Sequence, residues 1–359
     1  MQNYIDKLYF DFQSTQKILN LIAKIDSYKG KWNVIEKTEN TALKELRQIA
    51  TIESIGSSTR IEGVTLTDKE VSDLLKNVKI KQLKTRDEQE VVGYYETLQM
   101  IYDHFHDIKL TENHIKQLHQ NLLKYSDKDS RHRGKYKSLS NKVVAKYPGG
   151  VEKIIFNTTE VYLVEKEIQT LISWTNEELK KEEIHPLIVI SLYVYEFLSI
   201  HPFQDGNGRM SRLLTTLLLL RNDYYFIKYI SFENAIEQSK KEYYQSLMIC
   251  QKNRHTNNEN IATWTLFFLE KLYELTIKLD NKYGEFKSAL GYLNKRQKEI
   301  RNYIAINQPV KLSDIAEYLS DYSINTIKKD LQYMKREKVL RTVGNARATV
   351  YLIDKEHII

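Results

Sequence analysis

The amino-acid sequence predicts a mainly α-helical protein, and three observations support this fold class. Leu, Lys, Glu and Ile are abundant, and these residues are well tolerated in helices. Only four of the 359 residues are proline, so few positions interrupt a helix. Apolar residues also recur at helical spacing, as Ile18, Leu21, Ile22 and Ile25 do near the start of the chain.

Length and composition limit the possible classes of protein. A chain of 359 residues is long enough for two or more domains, and its net charge of +7 permits contact with nucleic acid without requiring it. The single cysteine, Cys250, excludes an intrachain disulfide and a cysteine-based metal site. Charged residues follow the first few positions, and no apolar run approaches about 18 residues. We therefore expect no signal peptide, no membrane contact and a cytoplasmic location.

The N-terminal part is predicted to be a series of helices. They are expected at residues 4–29, 41–55, 67–75, 86–104 and 112–123. Gly63 is a typical helix stop, so Glu62 would lie at the carboxyl end of the second helix. A carboxylate there opposes the helix dipole and invites a cationic partner, although an ordinary surface glutamate is the alternative.

The middle of the chain is predicted to contain one β-hairpin among further helices. β-branched residues at 141–145 and 152–156 flank Tyr147-Pro148-Gly149-Gly150, which is typical of a hairpin turn. Helices are expected at residues 161–174, 186–200, 232–250 and 260–282.

The C-terminal segment has a second pattern. After a connection at 283–294, helices are predicted at 296–307, 312–319 and 323–337, the last with Ser323 as its N-cap. Strands at 339–342 and 349–353 would flank a turn at 344–347.

Residues 201–212, HPFQDGNGRMSR, carry the strongest functional signal because they place polar groups between two apolar helices. Gly206, Asn207 and Gly208 allow a tight turn and close approach of a ligand to the backbone. The next helix begins here, and its free N–H groups form a site suited to phosphate. Phe203 is expected to anchor the loop in the core.

Four side chains around this turn suggest chemistry on a nucleotide. Arg209 and Arg212 are three residues apart, which places them on one helix face and suggests contact with several phosphates. Asp205 is suited to hold Mg²⁺ against phosphate oxygens. His201 is the group in this stretch that can accept a proton near neutral pH. Short fragments such as His-Pro or Asp-Gly-Asn-Gly are commonly only structural turns, but the whole string is far more specific.

The string matches the signature of the Fic (filamentation induced by cAMP) domain family, HPFx(D/E)GNGRxxR, at every fixed position. This family is helical, and most members transfer AMP from ATP to a hydroxyl of a target protein. The resemblance implies that His201 is the base and that Asp205 holds Mg²⁺. It also implies that residues 206–208 form the anion cradle, that Arg209 binds phosphate and that Arg212 holds the γ-phosphate.

Ser58, Glu62 and Gly63 fit the inhibitory motif of the same family, (S/T)xxxE(G/N), within a helix at about residues 45–63. By this resemblance Glu62 pairs with Arg212 and keeps the γ-phosphate from binding productively. The hairpin, at about residues 136–157, resembles the flap on which a target segment docks as an added strand, with a mere connecting hairpin as the alternative.

The resemblance implies three further site residues, and at one position the sequence differs from the family pattern. Tyr243, Tyr244 and Gln251 fall where family members line the nucleoside pocket, although aromatic residues at such spacing are more often core residues. Family members usually have Arg where Lys137 follows Gly134-x-Tyr. The resemblance covers residues 1–285.

Residues 286–359 resemble the winged helix-turn-helix family, a small α+β fold. Its recognition helix would be 323–337. Asn325, Thr326, Lys328 and Lys329 would face a DNA major groove, and Arg347 would reach a minor groove. Such modules also serve as protein-interaction or dimerisation domains, so DNA and a second copy of the chain both remain candidate partners.

Together these features predict a self-inhibited Fic protein adenylyltransferase that uses ATP and Mg²⁺ and modifies Ser, Thr or Tyr hydroxyls of target proteins or of itself. Three alternatives remain open: transfer of phosphate or phosphocholine, removal of AMP from a target, and a DNA-binding regulator whose helical core senses nucleotide.

Overall fold

The computed structural model describes residues 4–37, 41–77, 83–146, 152–256, 258–291, 293–337, 339–344 and 349–354. The chain divides into two compact units. The first comprises Met1–Glu39 and Leu46–Lys278, and the second comprises Asn40–Glu45 and Leu279–Ile359.

The first unit is mainly helical, as the sequence predicts. The α-helices that lie in it or extend into it are α1 Phe12–Glu36, α2 Thr41–Ile61, α3 Asp68–Asn77, α4 Arg86–His104, α5 Glu112–Leu122, α6 Val164–Lys181, α7 Pro186–Ile200, α8 Asn207–Arg221, α9 Phe232–Gln238, α10 Lys240–Gln251 and α11 Ala262–Gly291. Short 3₁₀ helices occupy Tyr4–Leu8, Val161–Leu163 and Tyr225–Lys228. Among the described residues, no helix is both long and apolar enough to cross a membrane.

Helices α7 and α8 form the centre of the first unit. Nearly every residue of both helices is buried, which explains why α7 is apolar on all sides rather than amphipathic. Helix α7 packs against α6 and α8, and α8 also packs against α4. The segment that joins α7 to α8 is therefore held between two buried helices.

Local chemistry sets several helix ends. Asp11 caps α1 through a hydrogen bond from the Ser14 N–H, so the first long helix begins at Phe12 rather than at residue 4. Helix α2 ends just before Glu62, and Gly63 follows with φ of +108°, a conformation that favours glycine.

Several other helix predictions were wrong in their extent: α1 continues to Glu36 rather than to residue 29, and α6 continues to Lys181 rather than to residue 174. The helix predicted at 232–250 is divided at Ser239, whose φ of −114° and ψ of 32° end α9 before α10 begins. The connection predicted at 283–294 is mostly helical, because α11 continues to Gly291. The helix propensities of neighbouring residues do not predict such breaks and extensions, because tertiary packing decides them.

The predicted hairpin is present. Strands β1 Lys142–Lys146 and β2 Glu152–Asn157 pair antiparallel, with Val143 opposite Phe156. The register shifts between Val143 and Val144, which is a β-bulge or related irregularity. The predicted turn at 147–150 lies outside the described residues.

The second unit has its own helices and a small sheet. Its elements include α12 Lys295–Asn307, β3 Val310–Lys311, α13 Leu312–Tyr318, α14 Ile324–Arg336, β4 Leu340–Val343 and β5 Val350–Ile353. The strands are antiparallel in the order β3-β5-β4. Ser323 caps α14 as predicted, and Ile300, Ile315 and Ile327 are buried in a separate core. Arg347, expected to contact DNA, lies outside the described residues.

Candidate active site

The loop between α7 and α8 is shaped by two left-handed residues. His201, directly after α7, has φ of +54°, and Gly206, directly before α8, has φ of +81°. A side chain at Gly206 would also lie 3.5 Å from the ring of His119 on α5. That distance is an ordinary van der Waals contact, so it is the positive φ that favours glycine at 206.

Asn207 and His119 hold this loop in place. The Asn207 side chain bonds both ways to the Phe203 backbone, accepting from its N–H at 2.8 Å and donating to its carbonyl at 2.7 Å. His119 accepts from the Gly134 N–H at 3.0 Å, so its Nε2–H donates to the Asp205 carbonyl, also at 3.0 Å. The His119 ring stacks on Phe203, with centroids 3.7 Å apart. The loop backbone is thus fixed before any ligand binds.

The His201 imidazole is set up as a neutral base. Its Nδ1 lies 3.1 Å from the Leu198 carbonyl, so Nδ1 carries the proton and Nε2 retains its lone pair. Burial lowers the pKa of His201 to about 4, and the charge of Lys137 acts in the same direction, whereas the bond to Leu198 opposes it. The imidazole is therefore neutral at physiological pH.

This protonation state gives a prediction that does not depend on activity. In a nitrogen-15 NMR titration of the ligand-free protein, the His201 imidazole is expected to gain its proton near pH 4, because burial disfavours the charged ring. The His201→Ala spectrum identifies the signal. Protonation near pH 6.5, the ordinary value for histidine, would contradict the neutral ring.

The buried Arg212 and the partly exposed Glu62 form an ion pair at the start of α8. Arg212 is only 3% exposed, and its Nη2 donates to Glu62 Oε1 at 2.7 Å. Its Nε donates to Ser58 Oγ at 2.7 Å, and its Nη2 also donates to the Ser58 carbonyl at 2.9 Å. All three acceptors belong to the end of α2 or the residue that follows it. The Arg212 guanidinium is therefore occupied by this segment.

The Glu62 carboxylate also lies directly over Gly208. A Cβ atom at Gly208 would be 2.2 Å from Glu62 Oε1, so only glycine leaves room for the carboxylate there. Burial would raise the pKa of Glu62, but the charges of Arg212 and Arg209 outweigh it and hold the pKa below its usual value. Glu62 is thus ionised at neutral pH and sits at the anion cradle that the sequence predicts.

A cavity of about 220 Å³ opens beside the loop. Its lining includes part of the motif, namely His201, Asp205, Gly206, Asn207, Gly208 and Arg212. The remaining lining includes Glu62, Tyr243 and Tyr244, together with Val143 and Phe156 of the hairpin. The basic imidazole, the glycine turn and a guanidinium therefore border one space.

Comparison with known proteins identifies this region. A model of the Fic/DOC family matches residues 109–219, which include α5, the hairpin, α6, α7, the loop and most of α8. Residues 109–219 are therefore similar to the Fic/DOC family. Ser58, Glu62, Tyr243 and Tyr244 lie outside the matched residues.

The chain is similar to curated proteins of flies over about half of its length. The chain is 27% identical over 205 residues to "Protein adenylyltransferase Fic" of Drosophila willistoni, which is 56% of this chain and 38% of that protein. It is 28% identical over 205 residues to the protein of the same name in Drosophila melanogaster, 56% of this chain and 39% of that protein. The match thus spans well under half the length of these relatives.

Solved structures show the Fic fold. A Fic family protein from Desulfovibrio desulfuricans G20 matches with a TM-score of 0.64 and 22% identity, over 94% of this chain and 95% of that chain. A Fic domain containing signaling protein from Bacteroides thetaiotaomicron VPI-5482 matches with a TM-score of 0.56 and 23% identity, over 77% of this chain and 97% of that chain. At these identities, the likeness concerns the fold alone.

Two predicted ligand residues, Arg209 and Gln251, do not line the cavity. Arg209 is 1% exposed, and its guanidinium lies 3.1 Å from Glu90 Oε2 on α4 and 3.3 Å from Asp205 Oδ1. Arg209 therefore lies between two carboxylates and does not border the cavity. Gln251 donates its amide to Ser199 Oγ instead of facing the cavity. Both side chains are drawn away by buried partners on neighbouring helices.

The sequence did not identify His119 or Glu90 as residues that support the site. His119 lies on the buried face of α5 with Ile115, Leu118 and Leu122, and a single polar residue on that face was the available signal. Glu90 is a similar buried carboxylate on α4, only 6% exposed. Neither pattern indicates which distant loop the side chain will contact.

Proposed function

We propose that this protein is a self-inhibited protein adenylyltransferase that moves AMP from ATP to a Ser, Thr or Tyr hydroxyl. The observation that carries the proposal is the arrangement of one cavity, which a neutral His201 imidazole, a glycine cradle and the Arg212 guanidinium border together. That the transferred group is AMP is suggested by the Drosophila relatives, which are named as protein adenylyltransferases.

The start of α8 is suited to the phosphates of ATP. Asn207 and Gly208 present the first backbone N–H groups of a 15-residue helix, where the dipole favours negative charge, whereas the Gly206 N–H donates to Asp205 Oδ1. Arg212 would hold the terminal phosphate with its planar fork of donors. Arg209 would act indirectly, by keeping Asp205 in place. Tyr243 and Tyr244 are the aromatic side chains expected beside the nucleoside.

The residues present also fit Mg²⁺. Burial would raise the pKa of Asp205, but Arg209 and the Gly206 N–H outweigh it, so the carboxyl remains ionised. Its Oδ2 lies 3.8 Å from Nζ of exposed Lys128, beyond hydrogen-bond distance. A single carboxylate can hold Mg²⁺ together with substrate phosphates and water. When bound, Mg²⁺ would neutralise phosphate charge.

The transfer would proceed by direct attack of the target oxygen. His201 Nε2 takes the hydroxyl proton, and the oxygen forms a bond to the α-phosphorus while the bond to the leaving pyrophosphate breaks. The products are an AMP ester and pyrophosphate. The charge of the bound phosphates would raise the pKa of His201 from about 4 toward neutrality, where a general base is most effective.

Self-inhibition would follow from competition for Arg212. The Glu62 carboxylate and the γ-phosphate are both anions that need the same guanidinium and the space over Gly208. With Glu62 in place, the triphosphate cannot take the position that aligns its α-phosphorus for attack.

Intact mass spectrometry of the purified chain before and after incubation with Mg-ATP tests the transferred group. A gain of AMP supports adenylyl transfer, and the Glu62→Gly variant should show more of it. A gain of phosphate alone would favour a kinase-like reaction and overturn the proposal. Loss of AMP from a chain isolated in the modified state would favour removal of AMP.

For the second unit, we propose a winged helix-turn-helix domain that contacts DNA through α14. Asn325, Lys328 and Lys329 are exposed on that helix, and Thr326 is partly exposed. The helix places basic side chains on the face opposite its buried residues Ile327 and Leu331.

Binding to random duplex DNA is therefore expected to weaken as salt rises. Replacing Lys328 and Lys329 together by Gln should lower the slope of log affinity against log salt by about 1 for each lysine that no longer binds a phosphate. A control that replaces exposed Lys252 and Lys278 by Gln makes the same charge change on the first unit. Equally weakened binding in both variants would argue against α14 as the DNA surface.

A further inference from the structure

Lys137 is a buried lysine that the proposed reaction does not use. It is only 3% exposed, and its ammonium donates three hydrogen bonds. The acceptors are Asn141 Oδ1 at 2.9 Å, Thr158 Oγ1 at 2.7 Å and the Ile200 carbonyl at 3.2 Å. They come from three separate segments: the residue before β1, the residue after β2, and the last residue of α7.

The neighbours of Lys137 strengthen the same link. Its backbone N–H donates to the Pro202 carbonyl at 2.8 Å, and Tyr136 forms a β-bridge with Phe203. Asn141 donates to the Phe203 carbonyl at 2.9 Å. The segment that leads into the hairpin is thus bonded along residues 200–203, which contain His201.

The three acceptors around the ammonium are all uncharged. Buried lysines usually have a carboxylate partner, because an isolated ammonium is costly to bury. An ammonium supplies three N–H donors from one atom, whereas a neutral polar side chain supplies fewer. The buried ammonium, although costly, therefore joins the base of the hairpin to the loop that bears His201 through its hydrogen bonds.

We propose that Lys137 is a positioning residue that ties both ends of the hairpin to the His201 loop and thereby aligns a docked target hydroxyl with His201 Nε2. The expected effect of Lys137 on AMP transfer rests on the proposed function. The link itself rests only on the hydrogen bonds described above.

The link should also respond to alkaline pH. Burial lowers the pKa of Lys137 to about 8, while the charges of Glu160 and Glu167 oppose this shift and His201 lies nearby on the loop. Deprotonation leaves two N–H donors for three acceptors, so one hydrogen bond is lost. The hairpin is therefore expected to loosen as pH rises through about 8.

Hydrogen exchange of the strand residues 142–146 and 152–157 tests the link directly. In Lys137→Met, which keeps the length of the side chain but loses its donors, exchange there should rise by about tenfold because buried acceptors lose their partners. Lys137→Arg and Lys137→Gln, which retain donors, should restore part of the protection. Lys7→Met is the control, since Lys7 is also buried and its ammonium bonds to Glu196 of α7 and to Glu259 rather than to residues at the ends of the hairpin.

Two further readouts separate positioning from general destabilisation. Between pH 7 and 9, exchange corrected for its intrinsic pH dependence should rise in the wild-type hairpin and stay level in Lys137→Arg, whose guanidinium remains charged. In a Glu62→Gly background, Lys137→Met should lower AMP incorporation into the chain by about tenfold while the Kd of Mg-ATP, measured by calorimetry, stays nearly unchanged.

The outcomes distinguish this inference from the proposed function. Unchanged hairpin exchange in Lys137→Met, or an equal rise in Lys7→Met, would overturn the positioning role whatever the activity. A loosened hairpin in a protein that transfers no AMP would leave the link in place and refute adenylyl transfer. A loosened hairpin with full transfer would refute the alignment of the target.

Discussion

Replacing His201 by Ala is expected to lower the rate of AMP transfer by about a hundredfold to ten-thousandfold, the usual contribution of a positioned general base. The structure places the lone pair of a neutral imidazole at the cavity, with Nδ1 engaged by the Leu198 carbonyl. Without this base, the hydroxyl proton has no acceptor during attack. The rate is measured as AMP incorporated from Mg-ATP in the Glu62→Gly background, which removes the proposed inhibition.

Nucleotide binding should survive this change. The phosphates are expected to contact the start of α8 and Arg212 rather than the imidazole, so the Kd of Mg-ATP should change little. His104→Ala removes an exposed histidine at the end of α4 and serves as the control. Transfer that persists in His201→Ala would remove the base assignment.

Replacing Glu62 by Gly is expected to raise AMP transfer by about tenfold or more, because a hydrogen bond to a charged group contributes about 1.5–3 kcal/mol. The variant removes the acceptor at 2.7 Å from Arg212 Nη2 and clears the space over Gly208. Arg212 keeps its two bonds to Ser58, so the guanidinium should remain in position for a phosphate. The measurement compares labelling with ATP in the variant and the wild type.

Glu62→Gln distinguishes charge from shape. It keeps the size of the side chain but removes its negative charge, so its activity should lie between the wild type and Glu62→Gly. The affinity for Mg-ATP should rise in the same order, since phosphate and carboxylate compete for Arg212. If Glu62→Gly labels no more protein than the wild type, the inhibitory role is wrong.

Much of the local structure could be predicted from the sequence. The apolar run of α7, the glycine turn and the following helix are encoded within consecutive residues, and each appears where it was expected. Gly63 ends its helix region with a positive φ, and Phe203 is fully buried. These features depend on backbone conformation and hydrophobicity, which neighbouring residues determine.

The directions of the side chains could not be predicted as well from the sequence. Helical spacing placed Arg209 and Arg212 on one face, yet Arg209 turns to Glu90 on α4 while Arg212 turns to Ser58 and Glu62. Residues three apart differ by about 60° in direction around a helix, so each of the two arginines can contact a different neighbouring helix. Helical period does not specify which helix lies against each part of the face.

By itself, then, the sequence determined the helical class, the hairpin and the polar loop between two buried helices, because these are consequences of short-range spacing and turn chemistry. The tertiary structure decided which groups meet: Glu62 over Gly208, His119 beneath the loop, and Lys137 between the hairpin and α7. Such contacts join residues far apart in the chain, and the packing of whole helices brings them together.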